Sequence, residues 1–234
     1  INRYNFPTHA GWNVGTFGLD NHTDNQATTN AHNRWIPGEL RVPQSGGNWN
    51  FANIRHANYF LETVVPRWKA GKITGNSTNV GHYVGEGYFI RAYEYFNKLE
   101  AFGDFPIVKT TLPDDMEVLR EVSKRRPRNE VARFILSDLD SAISLLSISP
   151  PGGKNRISRL AALNFKSRVA LFEATWLKYH QGTALVPGGS GWPGQGKVEG
   201  FSINIDQEID FFLTQAMEAA EQVADNVPLT NNSM

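Results

Sequence analysis

Apolar residues recur at helical spacing along most of the chain from Asn48 onward, and strand-like alternation is rare. In the clearest segment, which follows Pro127, these positions are Val131, Phe134, Ile135, Leu139, Ala142, Ile143 and Leu146. Side chains three and four residues apart lie on one face of a helix, and such a face has to be buried against another element. The sequence therefore predicts an all-α fold.

Proline and glycine divide this region into five predicted helices. The helices are expected from Asn48 to Gly71, from Ser77 to Phe102, from Pro127 to the break at Pro150, from Ser158 to His180, and from about Asp206 onward. The fourth is apolar on two faces, so we expect it to lie between two neighbours. Long helices that pack in antiparallel pairs are typical of an α-solenoid or of tetratricopeptide-like repeats. Because a strict repeat period is weak here, we expect degenerate repeats.

The residues before the predicted helices are mostly polar and show little helical periodicity. Residues 1–47 are rich in Asn, Thr, Gly and His, which predicts a long ordered loop segment, and residues 48–234 form the predicted helical portion. The chain opens at Ile1 without an initiator Met and stops at Met234 directly after a helix. We therefore expect residues 1–234 to form a single incomplete domain whose C-terminal part is absent.

Composition excludes several classes of function. Lys plus Arg and Asp plus Glu both number 23, so the net charge is zero, which argues against nucleic acid as a partner. The chain has no cysteine, which excludes disulfides, thiolate catalysis and Cys-based metal sites. No apolar run is long enough to span a bilayer. The basic cluster Lys124-Arg125-Arg126-x-Arg128 is interpreted as a solvated corner or an ion-pair network.

Acidic pairs offer weak support for catalysis. A glycosidase needs two carboxylates across a cleft. The pairs Asp114-Asp115 and Asp138-x-Asp140 are interpreted as solvated surface, because neighbours in sequence do not share a helix face.

The sequence Asp20-x-His22-x-Asp24 lacks the glycine and the glutamate of a calcium loop. We therefore expect no catalytic residue, no metal and no cofactor.

The loop segment carries the groups that a saccharide binder needs. Aromatic faces stack on the C–H side of a sugar ring, and Asp, Asn and Arg satisfy its hydroxyls. The candidates are Asp20, Asp24, Asn25, Trp35, Arg41, Asn48 and Trp49.

Four motifs in order resemble the SusD/RagB family of outer-membrane nutrient-binding lipoproteins. They are Trp49-Asn50-Phe51-x-x-Ile54-Arg55, Gly85-Glu86-Gly87-Tyr88-Phe89-Ile90-Arg91-Ala92-Tyr93 running into Phe102-Gly103-Asp104-Phe105-Pro106, Ile135-x-x-Asp138-Leu139-x-x-Ala142-Ile143, and Arg159-Leu160-Ala161-Ala162-Leu163-x-x-Lys166. We interpret them as scaffold. Gly85 and Gly87 would permit close helix approach, and Arg91 would satisfy a buried acid, either Glu86 or Asp104.

The resemblance implies a SusD-like α superhelix in a surface-exposed lipoprotein of the outer membrane. It implies docking on a SusC-type TonB-dependent transporter and a glycan ligand, with peptides in some relatives. The lipid-bearing Cys of the family would lie upstream of this chain, so membrane attachment would use an N-terminal anchor not present here. By position, the family's ligand-binding residues correspond to Asp20, Asp24, Asn25, Arg41 and Trp49, and we add Trp35 on its chemistry.

These observations predict non-catalytic binding of oligosaccharides at the cell surface and their delivery to the transporter. The alternative is a helical-repeat module that binds proteins or peptides without binding glycans. A third hypothesis, an all-α glycosidase, would require a pair of reacting carboxylates.

Overall fold

The computed structural model describes residues 36–39 and 49–227. The chain divides into two compact units, Ile1–Asn50 and Phe51–Met234. Among the described residues of the first unit, 36–39 form a turn in which the backbone N–H of Glu39 donates to the carbonyl oxygen of Ile36 at 3.1 Å. The second unit carries the helices.

The described part of the second unit is helical and contains no β-strand, although an isolated antiparallel β-bridge joins Phe105 to Arg126. Its α-helices are α1 (Ala52–Lys69), α2 (Ser77–Phe102), α3 (Met116–Val122), α4 (Arg128–Leu145), α5 (Arg159–Tyr179) and α6 (Ile205–Ala224). The all-α prediction is confirmed, and the five predicted helices lie within a few residues of their expected ends. Helix α3 was not predicted: it has only seven residues and none of them is buried.

Successive long helices pack against each other in antiparallel pairs. Residues that ascend along α2 meet residues that descend along α4, in the pairs Gly85 with Leu145, Arg91 with Asp138, and Tyr95 with Phe134. The same descending order relates α1 to α2 and α4 to α5. Helix α5 packs on both α4 and α6, as its two apolar faces predicted. This stacking of chain neighbours is the tetratricopeptide-like arrangement expected from the sequence.

Local signals determine where the helices begin and end. The side chains of Asn76, Ser158 and Asn204 each accept a hydrogen bond from the backbone N–H three residues further on, which caps α2, α5 and α6. Helix α2 ends at Gly103, whose φ of 66° is a conformation that glycine adopts without strain. These caps explain why α2 has the predicted bounds.

Two glycines of α2 let neighbouring helices approach closely. A Cβ atom on Gly87 would lie 2.6 Å from Cε1 of Phe60 in α1, and one on Gly85 would lie 3.1 Å from Cβ of Leu145 in α4. In a close-packed interior the first contact would force a neighbour to move, and the second would require it to give way by a few tenths of an ångström. The predicted scaffold role of both glycines is confirmed.

A buried ion pair joins α2 to α4 and corrects two predictions. Arg91 donates hydrogen bonds of 2.7 Å to both carboxylate oxygens of Asp138, and the two side chains are only 8% and 5% exposed. Asp138 is therefore not solvated surface. The expected partners of Arg91 were also wrong: Glu86 pairs with Arg156, and Asp104 has other donors. The antiparallel register of α2 and α4 places Asp138 opposite Arg91.

Candidate ligand-binding cleft

A cleft of about 640 Å³ opens at the carboxyl end of α2. Its walls come from the last turn of α2, the turn before α4, the carboxyl half of α5, and residues 184–198 of the loop that leads to α6. All of these residues belong to the second unit. The volume is within the range of about 300–1,000 Å³ that small-molecule sites occupy.

Asp104 joins the long loop to the helices at this cleft. Its Oδ1 atom accepts a hydrogen bond of 2.9 Å from the backbone N–H of Arg128, and its Oδ2 atom accepts one of 2.7 Å from Nε1 of Trp192. Burial raises the pKa of Asp104, and the hydrogen bonds from Trp192 and Arg128 act in the opposite direction. Both carboxylate oxygens are therefore engaged in holding the wall of the cleft.

The ring of Trp176 lines the cleft and is held in place by contacts with Arg128 and Leu185. The guanidinium of Arg128 lies 4.2 Å from the centre of this ring, and its N–H groups donate to Glu173 at distances of 2.8 to 3.2 Å. Burial raises the pKa of Glu173, while the charge and hydrogen bonds of Arg128 lower it. The indole N–H of Trp176 donates to the carbonyl of Leu185 at 3.2 Å. The ring is thus fixed before any ligand arrives.

The loop wall is built around Trp192, which is 4% exposed. Its ring lies 4.9 Å from the ring of Phe201, and a Cβ atom on Gly194 would overlap it. Glycines with positive φ, at Gly182, Gly188, Gly191, Gly196 and Gly200, allow the turns of this segment. Trp192 therefore shapes the wall, while half-buried Phe102 and Trp176 and exposed Leu185 offer apolar surface to a ligand.

Positive charges lie along the cleft. Lys124, Arg125 and Lys197 line it and are exposed. Lys124 makes a surface ion pair with Glu121, and in the same turn Arg126 pairs with Glu130. Together with the Arg128–Glu173 pair, these contacts confirm the predicted ion-pair network of the basic cluster.

The ligand-binding residues predicted from the loop segment stay predictions. Asp20, Asp24, Asn25, Trp35 and Arg41 lie outside the described residues. Trp49 is described and is 42% exposed.

The cleft residues had weaker sequence signals than the loop candidates. Asp104, Trp176 and Trp192 were not predicted as site residues. Asp104 lies in one of the family motifs and Trp192 in a Gly/Pro-rich loop, but neither signal marked a cleft.

Within residues 36–39 and 49–227, no group of three or more His, Cys, Asp or Glu side chains is arranged to hold a metal ion. No helix in these ranges has the length and apolar character needed to cross a membrane.

Antiparallel tetratricopeptide-like helices that support a loop-walled cleft place this chain among helical-repeat proteins. A family model described as SusD-like, starch-binding and associating with the outer membrane matches residues 9–171. The match covers well over half of the chain, and the chain belongs to the SusD-like family.

Individual relatives match over shorter shares of their length. SusD-like protein P2 of Formosa agariphila is 32% identical over 73 residues, which are 31% of this chain and 14% of that protein. A SusD-like protein of Bacteroides fragilis is 28% identical with a TM-score of 0.44, covering 53% of this chain and 23% of that one. A structure described as containing xylogluco-oligosaccharide is 20% identical with a TM-score of 0.49, covering 77% and 29%. The chain thus spans under a third of these relatives.

Proposed function

We propose that this chain belongs to a non-catalytic glycan-capture protein on the surface of the outer membrane, which delivers oligosaccharides to a SusC-type TonB-dependent transporter. The observation that carries the proposal is the family match over residues 9–171, since that family is described as starch-binding and associated with the outer membrane. An N-terminal lipid anchor would attach the protein to the membrane.

The cleft is a suitable place for a sugar ring. Trp176 and Phe102 offer fixed aromatic surface, and stacking on such surface is the common way to hold the C–H face of a saccharide. Because the rings and the loop wall are already held by hydrogen bonds and packing, binding would cost little ordering of the protein. The ligand-binding role predicted for the loop residues, including Trp49, is a separate proposal that does not depend on this cleft.

Three of the four acids considered for catalysis have structural partners. Asp115 caps α3 by accepting from two backbone N–H groups at 3.0 Å. Asp138 is buried against Arg91, and Asp140 lies 2.7 Å from Nζ of Lys166. A carboxylate held in this way is poorly placed to attack or protonate a glycosidic bond, which supports binding without chemistry.

Isothermal titration with a panel of oligosaccharides, run beside a reducing-sugar assay, tests the proposal. We expect dissociation constants from about micromolar to millimolar, because a drug-sized ligand gains about 0.3 kcal/mol per heavy atom and a shallow stacked surface gains less. No reducing sugar should be released. Heat from peptides alone would favour the protein-binding alternative, and release of reducing ends that stops when one carboxylate is changed would favour a glycosidase.

Two aromatic variants locate the binding. Trp176→Ala removes a ring from the cleft, and Tyr179→Ala removes a ring on the same helix that is 78% exposed and outside the cleft. We expect weaker oligosaccharide binding in the first variant and parental binding in the second. Circular dichroism must show that Trp176→Ala retains its helices, since Arg128 stacks on that ring.

A further inference from the structure

We infer that the cleft beside Trp176 takes a saccharide that carries carboxylate or sulfate groups. The inference deepens the proposed glycan binding and rests on it. Three features of the described residues support it: the position of the lysines and arginine, the engagement of the neighbouring acids, and the apolar surface between them.

The cleft gathers positive side chains in a chain whose net charge is zero. Lys124 and Arg125 come from the turn before α4, and Lys197 comes from the long loop on another wall. Lys197 makes no ion pair or side-chain hydrogen bond with any described residue. A ligand in the cleft would therefore meet cations from two separate elements.

One of the two acids of the lining is committed to the protein. Both oxygens of Asp104 accept hydrogen bonds, from Trp192 and from the backbone of Arg128. The other, Glu100, is exposed on the last turn of α2, where the charge of Arg168 partly offsets its own. The pair between Lys124 and Glu121 lies at the exposed surface, where such pairs are weak and exchange readily.

A neutral sugar would leave the cations of this cleft without a counter-charge. A uronic acid or a sulfated sugar offers the same ring faces to Phe102 and Trp176 and adds an anion for the cations. The geometry therefore favours an anionic saccharide.

Titrations with tetragalacturonate, a chondroitin sulfate tetrasaccharide and maltotetraose, which have equal chain lengths, test this inference on the intact protein. We expect at least one of the acidic tetrasaccharides to bind about tenfold or more tightly than maltotetraose, the effect of one charge-assisted hydrogen bond. The advantage should shrink between about 0.05 M and about 0.3 M salt, because exposed charges are screened.

A pair of matched variants locates the charge effect. The double variant Lys124→Gln/Lys197→Gln should lose about tenfold in affinity for the acidic tetrasaccharide and keep its affinity for maltotetraose. The control Lys72→Gln/Lys154→Gln removes the same charge from exposed positions outside the cleft and should bind as the parent does. Thermal unfolding of both variants checks that the fold is retained.

The possible results separate this inference from the proposed function. Equal binding of neutral and acidic tetrasaccharides, unchanged in the cleft variant, would overturn the inference and leave glycan capture standing. Equal losses in the cleft and control variants would also overturn it, because the effect would then be general. Sodium sulfate that binds as tightly as the sulfated sugar would refute the saccharide requirement. Absence of binding to every saccharide would refute both.

Discussion

Arg91→Met removes the cation from the buried pair that joins α2 to α4. Arg91 makes four hydrogen bonds, two to Asp138 and one each to the side chain of Asn58 and the carbonyl of Lys109. Methionine fills similar space but donates none of them. Asp138, whose side chain is 5% exposed, would be left buried without its charge partner.

The cost follows from the burial of the pair. Removing one member of a buried ion pair typically destabilises a protein by about 3–5 kcal/mol, against a total stability of about 5–15 kcal/mol. Changing both members to apolar residues is often neutral, since no charge is then stranded. We therefore expect Arg91→Met/Asp138→Leu to be at least about 2 kcal/mol more stable than Arg91→Met.

The destabilisation should also depend on pH. Burial already raises the pKa of Asp138, and without the opposing hydrogen bonds of Arg91 that pKa rises further. The Asp138 carboxyl of the folded variant then keeps its proton to a higher pH than in the unfolded chain, where it is lost near the ordinary pKa of 3.8. The protonated carboxyl contributes fully to stability below pH 3.8. This contribution is lost as pH rises through the folded-state pKa. The deficit relative to the parent should therefore be larger at about pH 8 than at about pH 5.

Urea unfolding followed by far-ultraviolet circular dichroism measures these differences for the parent, the single variant and the double variant. An unfolding free energy of Arg91→Met within about 1 kcal/mol of the parent at both pH values would contradict a structural role for this buried pair. If such a variant also lost its oligosaccharide ligand, Arg91 would be a binding residue and the scaffold assignment would be wrong.

Three further changes test the packing. Gly87→Ala should cost about 1–3 kcal/mol in urea unfolding, because the added Cβ would lie 2.6 Å from a ring carbon of Phe60; parental stability would contradict the close helix approach. Burial lowers the pKa of His82, so the unfolded chain takes up a proton at this residue at a higher pH than the folded protein, and the free energy of unfolding should fall as pH drops below about 6.5. The variant His82→Gln should show a weaker dependence of stability on pH. An unchanged dependence would assign it to other groups. Trp192→Phe should lower the free energy of unfolding by about 1–3 kcal/mol and speed proteolysis of the loop before α6, because Asp104 loses a hydrogen-bond donor. An unchanged cleavage rate would mean that the hydrogen bond between Trp192 and Asp104 does not hold the wall of the cleft.

Some of the fold could be predicted because its signals are local. Helix α2 has the predicted bounds because Asn76 and Gly103 act on backbone groups within four residues. Helix α3 was not predicted because its seven residues form only about two turns, too few for a periodic pattern to stand out. None of its residues is buried, and Asp115 stabilises its start.

Residue spacing and caps are enough to predict that the chain is helical, where its long helices lie, and which faces are buried. Which residues pair across helices depends on the packed fold. Asp138 is 47 residues from Arg91, and Trp192 is 88 residues from Asp104. Such pairs depend on the antiparallel register of whole helices and on the path of a glycine-rich loop. No local sequence pattern encodes the helix register or the loop path. The cleft that they form could therefore be recognised only in the packed structure.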